Sequence, residues 1–213
     1  MAGDDQLFVD EDLIVLAKEP GEVVHPSPGY ESGTLCDRMK ERYPEIAAVG
    51  SKERPGVVHR LDKDTSGVIV FARTQRAYVA LRKMFEAHCG IEKTYLAVCH
   101  GSPRQKCGTI EDPIDSRPAL SHYRVLACRR GVSLIEFNIE TGRKHQVRIH
   151  AKALGCPILG DSLHGSRERD SHLRFRPKRT LLHAVRLAFL HPFTQRYLEF
   201  VSPPPYDLVH AVD

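Results

Sequence analysis

Two stretches of this 213-residue chain hold side chains whose types and spacing can do chemistry. The first, His59-Arg-Leu-Asp-Lys-Asp-Thr-Ser-Gly67, sets carboxylates, cations and hydroxyls in a polar loop between the apolar pieces Val57-Val58 and Gly67–Ala72. An aspartate in such a loop can act as a nucleophile or a proton acceptor. It can also simply make an Asx-turn or a cap, with Gly67 supplying a positive φ at the strand entrance, and on this loop alone that plain reading of Asp62 and Asp64 is the stronger. The second stretch, Glu140-Thr-Gly-Arg-Lys-His-Gln-Val-Arg-Ile-His150 and on to Asp161, is dense in cations and imidazoles. It belongs to a basic segment: residues 124–186 carry 14 Lys/Arg against 5 Asp/Glu, a local +9 inside a chain of net charge +4, which leaves −5 elsewhere. Such a segment attracts polyanions, nucleic acid being the obvious class, although a solvated surface has the same composition.

The elements that must position these residues read as α+β. Leu13–Ala17 is a short apolar strand closed by Pro20 and Gly21, and a loop rich in Pro, Gly and Ser runs on to Gly33. Thr34 is an N-cap for a first helix on which Leu35, Met39, Tyr43 and Ile46 recur at helical spacing up to a stop near Pro44 to Gly50, and Thr74 caps a second with the stripe Leu81, Met84, Phe85 and His88. Strands are predicted at Val57-Val58, Gly67–Ala72, Thr94–Cys99, His122–Ala127, Val132–Glu140, Leu181–Leu190 and Arg196–Val201, with a turn at Arg129-Arg-Gly131. A short helix follows Glu140, its apolar face Val147, Ala151 and Leu154, with Arg148 lying off that face. Short connections between strands favour a mostly antiparallel sheet with few helices. Ser166–Arg179, with seven basic residues counting His172, is the expected mobile loop.

Composition narrows the classes further. Hydrophobic residues at 41% and charged at 27% suit a soluble globular chain of one large domain or two small lobes. No apolar run approaches the roughly 18 residues of a membrane span, and the acidic Met1–Asp12 resembles neither a secretory signal nor a transit peptide, so a cytoplasmic location is expected. Six scattered cysteines without C-x-x-C predict reduced, mostly buried thiols, and twelve histidines without ligand spacing predict no metal site. The signatures G-x-x-x-x-G-K-[S/T], G-x-G-x-x-G after a strand, and G-x-S-x-G are absent.

His59–Gly67 and Thr141–His150, taken with Lys93-Thr-Tyr-Leu-Ala-Val98 and with Leu182-His-Ala184 followed by His191-Pro192, closely resemble the pseudouridine synthases of the RluA family. The four motifs stand in the family's order and cover about residues 9–202. The resemblance implies a mixed, mostly antiparallel sheet with flanking helices and a central catalytic cleft, in a single catalytic domain over 1–213 without an S4 domain. It implies an isomerase that breaks the C1′–N1 bond of a uridine in RNA, turns the base and joins C5 to C1′. That reaction is redox-neutral and needs no cofactor.

Asp62 becomes the catalytic aspartate by this resemblance. The carboxylate either forms a covalent adduct with sugar or base, or removes the C2′ proton to give a glycal; both routes need it ionised. Burial raises a carboxyl pKa, so a cation must hold the charge, and Arg148 is the matching residue. Tyr95 matches the tyrosine whose ring stacks on the base and whose phenol helps remove the C5 proton. Arg60 fills the space of the flipped base or clamps a phosphate, or else pairs with Asp64 in the loop. Arg143, Lys144 and His145 are placed to meet the RNA backbone or to lie on a solvated surface. The expected partner is tRNA or rRNA, bound by a monomer without metal or small-molecule cofactor. Two other readings are open, a non-catalytic RNA-binding protein on the same scaffold and a carboxylate-dependent nucleoside hydrolase. The sequence departs from the family pattern at Lys18-Glu-Pro-Gly21, where Glu22 takes a usually apolar place, and at His164, where tyrosine is common.

Overall fold

A computed structural model describes residues 5–212, so the first four residues of the acidic N-terminal stretch lie outside the described residues. In chain order the elements are β1 Gln6–Val9, β2 Leu13–Lys18, α1 Leu35–Arg42, a 3-10 turn at Pro44–Ala48, β3 Gly50–Ser51, β4 Arg54–Pro55, β5 Ser66–Ala72 and α2 Gln75–Ala87. They continue with β6 Ile91–His100, β7 Cys107–Ile110, β8 Ser121–Arg129, β9 Val132–Ile139, α3 Gln146–Ala153, α4 Arg167–Ser171, β10 Leu182–Leu190, β11 Tyr197–Val201, α5 Tyr206–Val209 and a last 3-10 turn at His210–Val212. The chain divides into two compact units, residues 1–91 with 187–202 and residues 92–186 with 203–213, the boundary falling within β6 and β10.

In the first unit β2 pairs antiparallel with both β1 and β5, and its register with β5 runs from Leu13↔Ala72 to Lys18↔Gly67. Side chains alternate across a strand, and here both faces are dry: Leu13 and Val15 join Val68, Val70 and Ala72 on one, while Ile14, Leu16, Ile69 and Phe71 are also fully buried. Ala77 and Leu81 of α2 pack into the Leu13–Val70 cluster with Phe189 and Phe200. Both predicted caps form. Thr34 makes a capping box with Asp37, and the Thr74 hydroxyl accepts from Ala77 N while donating to Asp12, which Arg76 grips with Nε at 2.8 Å and Nη2 at 2.7 Å.

In the second unit β9 lies between β6 and β8, with β7 on the far side of β8, all antiparallel. The predicted turn is a two-residue hairpin in which Arg130 and Gly131 both have positive φ, 50° and 79°. Ala97, Ile135 and Phe137 face Val147 and Ala151 of α3; on the other side Val98 and Val132 cluster with Leu159, Leu181 and Leu208 of α5.

Four expectations need correction. The first helix stops at Arg42 because Pro44 has no N–H to continue the ladder and forces Tyr43 out of the helical region, so Ile46 falls in a separate 3-10 turn. Val57-Val58 is not a strand; only Val57 bridges to Phe71. Ser166–Arg179 contains α4, and its last residue is a buried anchor, Arg179 forking onto Asp207 at 2.7 and 2.8 Å. The cysteines divide evenly, with Cys36, Cys99 and Cys156 buried and Cys89, Cys107 and Cys128 exposed. β1 and β7, four residues each, were too short to show a period in the sequence.

Candidate active site

Asp62 and Arg60 lie in the first unit, on the loop that enters β5. Gly67 has φ 115°, the positive value expected at the strand entrance. Thr65 N donates to Asp62 O at 3.1 Å and closes a turn over Asp62–Thr65, while Thr65 and Ser66 are buried beneath it. The next residue, Lys63, is held by two donors on its carbonyl: Gly21 N at 2.8 Å and Lys18 Nζ at 3.0 Å. Lys18 is only 1% exposed, and its ammonium also donates to Glu19 O at 2.7 Å and Glu22 O at 2.9 Å. A buried cation is tolerated when its donors are spent in this way. Thus the Lys18-Glu-Pro-Gly21 segment, which departs from the family pattern, supports the Asp62 loop directly.

His59 fixes the other end. Its Nε2 accepts from Val70 N at 3.0 Å, and its ring stacks on Phe85 with centroids 4.4 Å apart and planes 10° from parallel. Of the predicted stripe Leu81, Met84, Phe85 and His88, Phe85 thus serves the loop, whereas His88 falls outside α2 as its left-handed C-cap, φ 52°. Asp62 is half-buried and Arg60 exposed. The Lys63 ammonium turns outward onto Tyr30, 2.7 Å from its hydroxyl and 4.6 Å from the ring centroid.

Tyr95, Arg143, Lys144, His145 and Arg148 all lie in the second unit. Tyr95 is half-buried on β6 opposite Phe137 of β9. Arg148 lies off the apolar face of α3, as expected, yet it is buried. Its Nε and Nη2 each reach one oxygen of Asp161 at 2.7 Å. Asp161 Oδ1 also accepts from Leu163 N and His164 N at 3.0 and 2.9 Å. Burial pushes the Asp161 carboxyl up, but the Arg148 fork and these two amides outweigh it and hold it below the ordinary carboxylate value.

The Thr141–His145 turn is fixed by Gln146, the first residue of α3. Its Oε1 accepts from Thr141 Oγ1 and Arg143 N, and its Nε2 donates to Leu120 O and Ser121 Oγ, so the full capacity of the amide is used. His150 extends the network to Ser121 Oγ and Asp112 O. Below the turn, buried Lys93 donates to Glu140 O and Thr141 O at 3.4 and 3.2 Å; burial, aided by the nearby Arg143 charge, lowers its pKa to about 8. Arg143 Nε donates to Pro118 O, Lys144 is exposed, and His145, with φ 58°, lies 3.0 Å from His164 through Nδ1 and Nε2. The structure thus brings Arg148, His145 and the Arg143–Lys144 pair onto one short turn-helix segment. Lys18, His59, Lys93, Gln146 and Asp161 were missed as supports. His59, Lys93, Gln146 and Asp161 all stand within or at the end of the quoted motifs, which was the only signal for them, and Lys18 stood in the segment that departs from the family pattern.

Chemically, the first unit offers a carboxylate on a loop fixed from both sides, and the second a buried, oriented guanidinium, a phenol and exposed cations. Comparison with known proteins gives the family. Residues 12–153 match the family model described as RNA pseudouridylate synthase. An uncharacterized RNA pseudouridine synthase of Chloroflexus aurantiacus is 42% identical over 205 residues, covering 90% of this chain and 63% of that protein. The ribosomal large subunit pseudouridine synthase D of Zymomonas mobilis is 35% identical over 222 residues, covering 95% of this chain and 69% of that one. Among solved structures, human RNA pseudouridylate synthase domain containing 4 superposes with a TM-score of 0.73 at 25% identity, over 97% of this chain and 90% of that one. The chain belongs to the RNA pseudouridylate synthase family, and its α+β, mostly antiparallel architecture is the one expected from sequence. It spans about two thirds of the length of several curated relatives, 63% and 65% for two of them.

Proposed function

We propose that this chain isomerises uridine to pseudouridine in structured RNA, with Asp62 as the catalytic carboxylate and Tyr95 and Arg148 as its partners in catalysis. The observation that carries the reading is the fixing of the Asp62 loop by the Lys18 ammonium, Gly21 N and the His59–Val70 hydrogen bond. Pre-set geometry of this kind lets a carboxylate meet an extruded nucleotide without reorganising at the moment of reaction.

The bookkeeping closes without a co-reactant. The C1′–N1 bond breaks, the C5–C1′ bond forms, the C5 proton leaves and N1 takes up a proton. Asp62 attacks the sugar or base, or takes the C2′ proton, and is regenerated. By the family resemblance Tyr95 is assigned to the base and to loss of the C5 proton, and Arg148, oriented by Asp161, is the cation assigned to the reaction. Arg60, Arg143, Lys144 and His145 bind the RNA backbone. The name of the Zymomonas relative makes large-subunit rRNA the first substrate to test, with tRNA the second. The experiment is incubation with total rRNA and tRNA followed by pseudouridine mapping, beside the Asp62→Asn variant. New pseudouridine that depends on Asp62 supports the reading. Binding without conversion leaves a non-catalytic RNA-binding protein, and release of free uracil indicates a hydrolase.

A further inference from the structure

Beside the Asp62 loop, wholly within the first unit, lies a solvent-open pocket of about 380 Å³ lined by His25, Arg54, Arg60, Tyr78 and Arg82. That is within the size range of small-ligand clefts, ~300–1,000 Å³. Its walls come from four separate parts of the chain. Arg54 stands on the β3–β4 hairpin, opposite Ser51. The hairpin lies against α2 because Gly50 has no side chain: a Cβ there would come within 2.5 Å of the Tyr78 ring, and Gly50 N donates to Gln75 Oε1 at 2.8 Å. Tyr78 and Arg82 stand one turn apart on α2, and Arg60 comes from the loop two residues before Asp62. Among the described residues neither Arg54 nor Arg60 has an ion-pair partner, and Arg82 has only the exposed Glu86 beside it on the helix. Glu53 is the one carboxylate on the rim.

His25 gives the pocket a second kind of group. The residue is 3% exposed, and its Nδ1 donates to Pro26 O at 2.9 Å, which leaves Nε2 as the nitrogen with a lone pair. No protein group among the described residues donates to Nε2. Burial, with the charges of Arg54 and Arg60 adding to it, holds the ring below its ordinary pKa and therefore neutral at pH 7. Three guanidinium groups and one neutral acceptor call for a ligand that joins an anion to a hydroxyl or N–H donor. A ribonucleotide unit has both.

We propose that this pocket is a subsite for a nucleotide flanking the modified uridine, its phosphate held by Arg54, Arg60 and Arg82 and its 2′-hydroxyl donating to His25 Nε2. The proposal rests on RNA being the substrate and adds a place where sugar identity is read. Guanidinium forks suit phosphate, and the 2′-hydroxyl is the group that distinguishes RNA from DNA at a given contact.

Fluorescence anisotropy with a labelled uridine-rich RNA pentanucleotide and its DNA equivalent, read from 50 to 300 mM salt, tests it with the full chain. Arg54→Gln with Arg82→Gln is expected to weaken RNA binding about tenfold and to flatten the salt slope by one to two units. His25→Asn keeps the Pro26 hydrogen bond but removes Nε2, and is expected to abolish the preference for RNA over DNA, which His25→Gln partly restores. Unchanged affinity and slope in the arginine variant overturn the proposal, as does an RNA preference that survives His25→Asn. Should His25→Asn melt early, the exposed arginine pair carries the test alone. Displacement of the RNA by micromolar uridine monophosphate also overturns it in favour of a free-nucleotide site, whereas displacement only at millimolar concentration supports it. Conversion of rRNA and tRNA, assayed in parallel with Asp62→Asn as the inactive control, keeps the two readings apart: no conversion by the native chain beside weakened binding in the arginine variant sinks the isomerase reading without touching the pocket, and Asp62-dependent conversion with unchanged arginine-variant affinity sinks the pocket alone.

Discussion

Arg148 and Asp161, thirteen residues apart, form a two-pronged ion pair in which both bonds are 2.7 Å and the side chains are 9% and 1% exposed. A pair this dry is weak evidence for stability in itself, because desolvating two charges offsets most of their attraction. Its effect is orientation. A planar guanidinium held on two nitrogens has little freedom left in the direction of its remaining N–H groups.

Removing one partner of that pair should therefore be far more damaging than removing both. Asp161→Asn takes from the buried Arg148 guanidinium the carboxylate that holds two of its nitrogens, and urea denaturation should show a loss of about 3–5 kcal/mol at pH 7. Arg148→Met combined with Asp161→Leu should recover most of that stability and none of the RNA-modifying activity. Because the folded-state pKa of Asp161 is depressed, its contribution is complete above pH ~4 and disappears as the pH falls through the folded value.

Lys18→Met keeps the length of a fully buried side chain but takes the donor from three carbonyls, including that of Lys63 beside Asp62. Unmet buried acceptors cost roughly 1–3 kcal/mol in all once the loop relaxes. The expected signature is a fall in kcat of at least tenfold with KM for RNA changed less than threefold, because the loop that presents the carboxylate is loosened while the binding surface is intact.

Lys93 makes a pH prediction with a definite sign. Its pKa is lowered from the ordinary 10.5 to about 8 in the folded protein, so between those values the unfolded chain holds more protons and stability rises with pH. The full rise is about 3 kcal/mol at most. Cys36, whose thiol burial pushes up to about 12, acts in the opposite direction above pH 9, so the comparison must be against a variant rather than against one curve. Urea denaturation of the native chain and of Lys93→Met at pH 7.5 and 10 should show the difference between them shifting in favour of the native chain at the higher pH.

Most elements were legible because their signals are local. Thr34 and Thr74 announce caps, the run Leu13–Ala17 an apolar strand, and Arg129-Arg-Gly131 a turn. The candidate site was legible through its motif residues, but its supports were not. Lys18, Lys93 and Gln146 make their bonds to backbone groups 45, 47 and 26 residues away, and such partners leave no trace in local spacing. A buried lysine also contradicts the usual rule that lysines face water, so composition pointed away from it. Arg148 shows the same limit: its place off the apolar stripe of α3 carried no sign of Asp161, the carboxylate that permits its burial.

Isomerisation of uridine by Asp62, as proposed, expels the hydrogen on C5, and that loss can be read without isolating the product. RNA labelled with tritium at uridine C5, prepared as rRNA and tRNA pools, should release tritium to water with the native chain and show none above background with Asp62→Asn, while that variant still binds RNA. Tritium release that survives Asp62→Asn, or its absence from both RNA pools with the native chain, would show that Asp62 is not the isomerising carboxylate.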